Sequence, residues 1–335
     1  MFNTRKFINL EIPIKYMKKR LNVIDLFCGA GGLSEGFKEA GFTSILGIDH
    51  DGAALETFAH NHKKAETICG DISKISKQNI LDKIGNQKVD LVIGGPPCQG
   101  FSLAGRRNPQ DPRNELVQQF LRIVKDFKPK FFVIENVQGF RTMTDKKGKL
   151  VLEIVKELAK ESGYFVEAFF LNSKDYGVAQ KRKRMFLIGS KKKGVKYDIK
   201  KTKEIIVKDL LFSKKEISKS YFYSQKLIDG FLRRAKRNKI LKRGFGWQFL
   251  KMDDQSYTIS ARYYKDGCEA LIKYDEKFKP GSIRKLTERE CARIQSFPDN
   301  YEFKGGKIKM YKQIGNAVPP KMAKAVAKSI YKIIS

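Results

Sequence analysis

The segment NVIDLFCGAGGLSEGFKEAGF, residues Asn22–Phe42, decides the fold because it combines a strand, a tight turn and a helix. Residues Val23–Phe27 are an apolar run that predicts a buried strand, the glycines after it favour a turn, and the pattern beyond them predicts a helix to about Ala40. A second apolar run ends at Asp49, about 20 residues after the turn, where a Rossmann-like βαβ unit places the carboxylate that binds a ribose. The segment therefore predicts a nucleotide-binding βαβ unit.

The rest of the first 190 residues continues this alternation. ETICGDIS, KVDLVIGG, KFFVIENV, FVEAFFLN and RMFLIGS each predict a strand, and the segments NELVQQFLRIVKDFKP and LVLEIVKELAKESGY have the apolar spacing of helices. Strands that alternate with helices indicate an α/β fold with a mostly parallel sheet.

Polar or unusual residues follow several of these strands. In a parallel sheet the carboxyl ends of the strands meet at one edge, where ligands bind. The strict Gly-x-Gly-x-x-Gly pattern is absent, because Ser34 stands where its third glycine would be, and this disfavours a pyrophosphate-binding site. The pattern instead suits a ligand with a ribose and an adenine but no phosphates. The residues expected at this edge are Gly29, Gly31, Gly32, Asp49, Asp71, Pro97, Cys98, Glu135 and Asn136.

Cys98 lies in LVIGGPPCQGFS, residues Leu91–Ser102, behind two prolines. Proline fixes φ near −65° and donates no backbone hydrogen bond, so the backbone before the thiol is stiff. A small buried cysteine in a turn is the alternative interpretation. Because the thiol would face a cofactor site at the sheet edge, we favour a catalytic cysteine.

Composition excludes several classes of protein. The chain of 335 residues is 41% hydrophobic, which is enough for one large and one smaller domain, and it has no apolar run of about the 20 residues that a membrane span needs. The first 20 residues carry scattered charges and do not resemble a signal peptide. Five widely spaced cysteines without a Cys-x-x-Cys pair argue against a disulfide framework and a structural zinc site, and they favour a reducing cytoplasm.

The net charge of +32 is the strongest global signal. Lysines that coat the surface are one explanation, but the excess is concentrated in residues 180–203 and 231–243. Clustered lysine and arginine indicate a polyanionic partner.

The motifs DLFCGAGG, GGPPCQGFS, ENV, QKRKR, RKLTERECARIQSFPDNY and QIGNAVPP together resemble the ordered motifs of the C5-cytosine DNA methyltransferases, from about Asn22 to Pro320. The resemblance implies a Rossmann-like S-adenosylmethionine-dependent methyltransferase sheet with a smaller target recognition domain. It implies an N-terminal extension at residues 1–20, a discontinuous catalytic domain at 21–190 and 284–335, and a target recognition domain at 191–283.

Individual residues are carried over from the same resemblance. The cofactor S-adenosylmethionine would be bound by Phe27, Gly29, Gly31, Asp49, His50, Asp71, Ile72, Pro97, Leu116, Asn316 and Val318. The flipped cytosine would be held by Cys98, Glu135, Arg182 and Arg184. DNA contacts are expected from the residue types in the segment after Cys98 and in the variable region rather than from the resemblance, at Gln99, Ser102, Arg106, Arg107, Lys236, Arg237, Arg243, Arg262, Tyr263, Tyr264 and Lys265.

The reaction that the family implies explains these residue types. A thiolate that adds to carbon 6 of cytosine makes carbon 5 nucleophilic, which is covalent catalysis. A buried carboxyl such as Glu135 can protonate the ring at N3, and the guanidinium of Arg184 can bind the base carbonyl and favour the thiolate of Cys98. Both faces of the ring must be reached, so the base must leave the stack. The base that removes the carbon 5 proton is a water or a side chain.

Several alternatives stay open. The arginine and tyrosine residues near position 262 are either DNA contacts or exposed residues of an ordinary small sheet. A branch of the same family modifies transfer RNA, but its Cys-Phe-Thr signature is absent from the variable region. A catalytically inactive DNA-binding relative and a Rossmann oxidoreductase are the other rivals. We expect a cytoplasmic, nucleoid-associated monomeric enzyme of a prokaryote that acts on double-stranded DNA, with a possible cognate restriction endonuclease.

Overall fold

The computed structural model of the chain describes residues 20–97, 116–145, 148–240, 248–266 and 269–334. Within these ranges a seven-stranded sheet forms the centre, in the order β3-β2-β1-β4-β5-β7-β6. Its strands are β1 Leu21–Leu26, β2 Phe42–Asp49, β3 Glu66–Cys69, β4 Leu91–Gly94, β5 Phe131–Val137, β6 Phe165–Asn172 and β7 Lys183–Ser190.

Strands β1 to β5 pair in parallel, and β7 runs antiparallel between β5 and β6. The α/β class with a mostly parallel sheet is therefore confirmed. The antiparallel strand matters for the site, because it begins at the edge where the parallel strands end. Arg184 pairs with Val137, so the QKRKR motif lies beside the ENV motif.

Helices cover both faces of the sheet, since the strands β1, β2, β4 and β5 are buried along almost their whole length. The first five are α1 Gly32–Glu39, α2 Gly52–Asn61, α3 Lys77–Ile84, α4 Leu116–Phe127 and α5 Val151–Glu161. One buried cluster joins α3, α4 and α5 to one face through residues such as Ile80, Phe120 and Val155. A second cluster joins α1 to the opposite face through Phe37.

The chain end returns to the first helix. Helix α10, Pro320–Ile334, contributes Met322, Val326 and Ile330 to the same cluster as Phe37. A Cβ at Gly36 would lie 2.4 Å from the carbonyl oxygen of Pro320, so glycine allows α1 and α10 to touch. This packing is what a discontinuous domain requires.

Residues between β7 and α10 build a third core beside the sheet edge. The helices and strands of this part of the chain are α6 Gln225–Ile240, α7 Tyr263–Asp266, β8 Ile272–Lys273, β9 Ile283–Arg284, α8 Glu288–Ile294 and α9 Lys307–Asn316. Val207, Ile259, Leu286 and Tyr311 are buried in it. None of the helices in the described ranges combines the length and apolarity of a membrane span.

Two observations bear on the predicted boundaries. Val195 belongs to the cluster on the face of the large sheet, and the ring of Tyr197 packs against those of Phe131 and Phe169, so residues just after 191 still contact the large sheet. Residues Tyr263–Asp266 form a short helix, so the residues near position 262 are not the exposed strand residues of a small sheet. The division into domains itself stays a prediction.

Candidate active site

The turn after β1 has an unusual backbone. Phe27, Gly29 and Gly31 all have positive φ, of 60°, 50° and 84°. Such angles are costly for a residue with a side chain, and they persist only where the surroundings impose them. The turn therefore has a shape that contacts with neighbouring residues must hold in place.

Asp49, the last residue of β2, holds this turn from one side. Its carboxylate accepts a hydrogen bond from the Gly29 amide at 2.8 Å and another from the Asp51 amide at 2.8 Å. The side chain is largely buried, and His50 lies 3.2 Å away through its Nδ1 atom. The sequence spacing thus corresponds to a direct contact between the second strand and the glycine turn.

A cavity of about 460 Å³ opens at the carboxyl ends of the strands beside this turn. Seven of the residues predicted to bind the cofactor line it, namely Phe27, Gly29, Asp49, His50, Pro97, Asn316 and Val318. The same cavity is lined by Glu135, Arg182 and Arg184. The predicted cofactor residues and three of the predicted base-binding residues therefore share one continuous space.

The other predicted cofactor residues do not line this cavity. Gly31 faces the interior behind the turn. Asp71 is exposed and caps a short 3-10 turn by accepting the Ser73 amide at 3.0 Å, whereas Ile72 is buried in the large core. Leu116 packs on that core at the start of α4. Their roles in cofactor binding stay predictions.

Glu135 and Arg184 form the polar centre of the other half of the cavity. The Nε atom of Arg184 lies 2.9 Å from Glu135 Oε1, and both side chains are largely buried. Burial raises the pKa of Glu135 above its ordinary value, although the charges of Arg184 and Arg182 oppose this. The carboxyl group can therefore keep a proton at a higher pH than a free glutamate can.

Arg182 completes this group from a fully buried position. Its guanidinium donates to the Ile259 carbonyl at 3.3 Å and to the Asn316 carbonyl at 3.5 Å, while its Nε has no partner among the described residues. Burial, together with the charge of Arg184, lowers its pKa. A buried guanidinium with an unused donor is suited to an acceptor that arrives from outside.

The loop that carries Cys98 begins at this centre. The Asn136 side chain donates to the Pro96 carbonyl at 3.0 Å, and a Cβ at Gly95 would lie 3.2 Å from Glu135 Oε2. The end of β5 thus fixes the backbone up to Pro97. Residues 98–115 lie outside the described residues, and with them the predicted residues Cys98, Gln99, Ser102, Arg106 and Arg107.

Residues 258–261 form a wall of the cavity that the sequence did not predict. Thr258, Ser260 and Ala261 line it, and the Ile259 amide donates to Gln180 Oε1 at 3.0 Å. A Cβ at Gly315 would lie 2.4 Å from the Ser260 carbonyl, so this wall presses directly on α9. The sequence assigns this stretch to the variable region. The small side chains of Ser260 and Ala261 are the one feature of the sequence that could have indicated their close contact with the QIGN motif.

A buried pair of amides joins three of the sequence motifs. Gln180 donates to Gln295 at 2.8 Å, and Gln295 donates in turn to the Ile314 carbonyl at 2.7 Å. Buried polar groups are stable only when they are hydrogen-bonded. The glutamines of QKRKR and of RKLTERECARIQSFPDNY are thus explained in part by structure alone, and they tie the predicted base-binding side to α9.

Asp25 supplies a test of whether the cavity suits a cationic ligand. Its side chain is 1% exposed, Oδ2 accepts a hydrogen bond from Ser34 at 2.7 Å, and Oδ1 has no partner among the described residues. Burial raises its pKa to about 7. Asp25 lines the cavity, and a positive group on a ligand beside it would favour the charged form of its carboxyl group.

The predicted DNA-binding residues of the recognition region fall into different environments. Lys236 and Arg237 are exposed on α6, and Arg262 and Lys265 are exposed at α7. Tyr264 is half-buried. Tyr263 is buried, and its hydroxyl donates to the Ala270 carbonyl and accepts from the Leu286 amide. The position of Tyr263 therefore speaks against a direct DNA contact, while Arg243 lies outside the described residues.

The fold and the cavity define an α/β protein with a nucleotide-type site that opens onto a buried glutamate–arginine centre. The model of the C-5 cytosine-specific DNA methylase family matches residues 21–332, and the chain belongs to this family.

Among related proteins, the chain is 36% identical to the type II methyltransferase M1.HphI of Haemophilus parahaemolyticus, over 93% of this chain and 87% of that protein. It is 35% identical to the type II methyltransferase M.DdeI of Desulfomicrobium norvegicum, over 92% and 88%. A solved methyltransferase of Entamoeba histolytica, EhMeth, shares the fold with a TM-score of 0.75 at 20% identity, over 95% of this chain and 100% of that one.

Proposed function

We propose that the chain is a sequence-specific DNA cytosine-5 methyltransferase that uses S-adenosylmethionine and a Cys98 nucleophile. The observation that carries this proposal is the continuous cavity, which joins the turn held by Asp49 to the centre of Glu135 and Arg184. One cavity can hold a cofactor and an extruded base side by side, as methyl transfer between them requires.

The proposed chemistry begins at Cys98. Its thiolate adds to carbon 6 of the target cytosine, which makes carbon 5 a nucleophile. The ring gains electron density as the thiolate adds, so a proton or a strong hydrogen bond at N3 lowers the barrier. Glu135 can supply it, because burial raises the pKa of its carboxyl group.

The two arginines have separate tasks in this proposal. Arg184 pairs with Glu135 through Nε, which orients the carboxyl group, and its Nη1 donates to the Lys183 carbonyl at 2.8 Å, so its Nη2 would be the donor that meets the base. Arg182 is held by the Ile259 and Asn316 carbonyls and carries the unused Nε donor. We assign the base carbonyl oxygen to Arg184 and a supporting charge to Arg182.

The cofactor half is assigned in the same way. When bound, S-adenosylmethionine supplies the methyl group that carbon 5 takes up. Asp49 would accept hydrogen bonds from ribose hydroxyls while it keeps the Gly29 amide. Asp25, whose Oδ1 faces no described partner, would attract the positive end of the ligand. Phe27 and Val318 would supply apolar contacts.

Double-stranded DNA is the proposed macromolecular substrate. The net charge of +32 and the exposed Lys236 and Arg237 on α6 support electrostatic binding of the phosphate backbone. Because the related proteins M.DdeI and M1.HphI are type II methyltransferases, we propose a role in restriction-modification with a cognate endonuclease. The enzyme would act as a monomer on DNA in the cytoplasm.

Methyl transfer from tritiated S-adenosylmethionine to duplex DNA, to RNA or to neither tests this proposal. We expect label in duplex DNA, and bisulfite sequencing of DNA from expressing cells should show methylated cytosines at one short site. Cys98→Ser should abolish both signals, because an alcohol is a far weaker nucleophile than a thiolate. Cys69→Ser is the matched control, since Cys69 is an exposed free cysteine outside the cavity. Label in RNA alone, or full activity of Cys98→Ser, would contradict the proposal.

A further inference from the structure

The turn between β1 and α1 is held on the side away from Asp49 by a buried tyrosine. The hydroxyl of Tyr301 donates a hydrogen bond to the Ala30 carbonyl. Tyr301 is 2% exposed and lies far along the chain from the turn. The Gly31 amide in the same peptide unit donates to the Cys28 carbonyl at 2.8 Å. Both polar groups of the Ala30–Gly31 peptide are therefore occupied.

His62 supports the tyrosine from behind. Its Nε2 lies 3.3 Å from the Tyr301 hydroxyl, and its ring packs against that of Phe58 at a tilt of 37°, with centroids 4.7 Å apart. Burial lowers the pKa of His62 to about 3, so the imidazole is neutral. The Tyr301 hydroxyl, which donates to Ala30, accepts a hydrogen bond from His62 in the imidazole tautomer that carries its proton on Nε2.

The fit at Gly31 shows how closely this pair approaches the backbone. A Cβ at Gly31 would lie 2.6 Å from the Tyr301 hydroxyl and 2.7 Å from His62 Nε2. A glycine is therefore needed at position 31 for two reasons: a side chain would collide with Tyr301 and His62, and a φ of 84° is strained for other residues. Contact with a ligand is not required to explain it. The predicted role of Gly31 in cofactor binding stays a prediction, and the contact with this pair is a separate reason for a glycine at this position.

The segment that carries Tyr301 is itself fixed to the same βαβ unit. The Asn61 side chain, at the end of α2, accepts from the Glu302 amide at 3.0 Å and donates to the Glu302 carbonyl at 2.8 Å. The Lys304 amide donates to Thr57 at 2.8 Å. The tyrosine thus reaches the turn from a rigid support rather than from a free loop.

We propose that Tyr301, supported by His62, is a positioning residue for the cofactor half of the cavity. Glycine accepts φ of either sign, so the Ala30–Gly31 peptide could turn over without steric penalty. The Tyr301 hydrogen bond selects one orientation, and Ala30 and Gly29 then present a fixed wall to the ligand. This inference rests on the proposed use of S-adenosylmethionine.

Tyr301→Phe tests this inference, because it removes one hydroxyl and keeps the ring. We expect S-adenosylmethionine to bind about 3- to 10-fold more weakly, the range of one net hydrogen bond, because the bound shape of the turn becomes only partly populated. KM for the cofactor should rise by the same factor. The kcat at saturating cofactor and the DNA affinity measured without cofactor should stay within about 2-fold of the wild type.

Tyr164→Phe is the matched control. Tyr164 is equally buried, and its hydroxyl donates to the Pro129 carbonyl at 2.7 Å, before the start of β5 and away from the cavity. Both variants should lose thermal stability, but only Tyr301→Phe should lose cofactor affinity. His62→Leu, which removes the donor behind Tyr301, should weaken the cofactor in the same direction, and His62→Gln, which keeps an N–H group, should restore most of the affinity.

Unchanged cofactor affinity in Tyr301→Phe, or an equal loss in Tyr164→Phe, would overturn the positioning role. If Tyr301→Phe fails to fold, the His62 pair decides the question, and equal affinities for Leu and Gln at that position would overturn it. A wild-type protein that binds no S-adenosylmethionine would contradict the proposed function instead.

Discussion

Among the described residues, two arginine–glutamate pairs are removed from solvent, and their surroundings differ. Arg284 and Glu290 are fully buried. The two terminal nitrogens of the Arg284 guanidinium donate to the two carboxylate oxygens of Glu290 at 2.7 and 2.8 Å. Glu135 and Arg184 meet through Nε at 2.9 Å at the wall of the cavity. The first pair lies in a closed core, whereas the second faces a space large enough for a ligand.

The polar atoms of the Arg284–Glu290 pair are satisfied on all sides. Glu290 also accepts from the Thr287 amide at 2.8 Å and from the Phe212 amide at 3.1 Å. Arg284 also donates to the Tyr274 hydroxyl at 2.8 Å. A buried network of this kind fixes one arrangement of the chain, here between β9, α8 and the segment before α6.

The centre at the cavity is incomplete by comparison. Arg182 Nε and Asp25 Oδ1 have no partner among the described residues, and burial raises the pKa of Glu135. Buried polar groups without partners are costly, and they persist mainly where a ligand completes them. The difference supports a structural role for the first pair and the proposed role in binding and chemistry for the second.

The largest effect should come from Glu135→Gln. An amide can donate a hydrogen bond but cannot transfer a proton, so kcat should fall roughly 10²- to 10⁴-fold. The free energy of unfolding should change less than it does in the Glu290 variant described next, because Glu135 lies at a cavity and its charged form is already disfavoured. Single-turnover methyl transfer and urea unfolding measure the two quantities. A variant that keeps its activity but unfolds easily would assign Glu135 to structure.

Glu290→Gln should show the opposite pattern. It leaves Arg284 charged and buried, and removal of one partner of such a pair costs about 3–5 kcal/mol of stability. Glu157→Gln, which breaks an exposed pair with Lys149, is the control and should change the unfolding free energy by less than about 1 kcal/mol. Residual methyl transfer per folded molecule should remain close to the wild-type value. Equal unfolding free energies for Glu290→Gln and Glu135→Gln would remove the distinction between the two buried pairs.

Asp49→Asn tests the other half of the cavity with a smaller expected effect. The two Asp49 oxygens accept from different backbone amides, so an amide nitrogen in place of one oxygen would oppose a donor. S-adenosylmethionine should bind about 1–3 kcal/mol more weakly, as calorimetry can measure. DNA affinity without cofactor should not change. Equal losses for both ligands would point to a defect of the fold.

The last predictions concern exposed charges that would contact DNA. Replacement of Lys236 and Arg237 by alanine should weaken the binding of all duplexes to a similar extent. The slope of log affinity against log salt concentration should fall by about 0.9 for each phosphate that is no longer neutralised. Arg262→Ala should cost about 1–3 kcal/mol on the true site alone if it reads a guanine edge. Filter binding over a salt series, with cognate and scrambled duplexes, separates these outcomes. A uniform loss for Arg262→Ala would make it a phosphate contact.

The sequence predicted the sheet well because each strand is a short apolar run that ends in a distinctive residue. Asp49 and Glu135 were placed correctly at the sheet edge, since parallel strands must end together. The antiparallel β7 was not predicted as such, although it brings Arg184 to that edge.

Contacts between distant segments were beyond the sequence. Residues 258–261 were not recognised as a cavity wall, because their packing on Gly315 depends on the tertiary fold. Tyr263 was interpreted by its position in a basic, aromatic stretch, but α7 turns its side chain into the core. Tyr301 and His62 carry no local pattern that links them to the glycine turn, since their connection is purely spatial.

The central claim is that Cys98 forms a covalent bond with the target cytosine beside the centre of Glu135 and Arg184. The most direct measurement is intact mass of the protein after incubation with S-adenosylmethionine and a duplex that carries 5-fluorocytosine at the methylated position. Fluorine cannot leave as the carbon 5 proton does, so the adduct should persist under denaturing conditions, with the added mass on the peptide that contains Cys98. The account predicts a stable adduct for the wild type and none for Cys98→Ser. A wild-type enzyme that methylates ordinary duplex DNA but never traps the fluorinated one would contradict it.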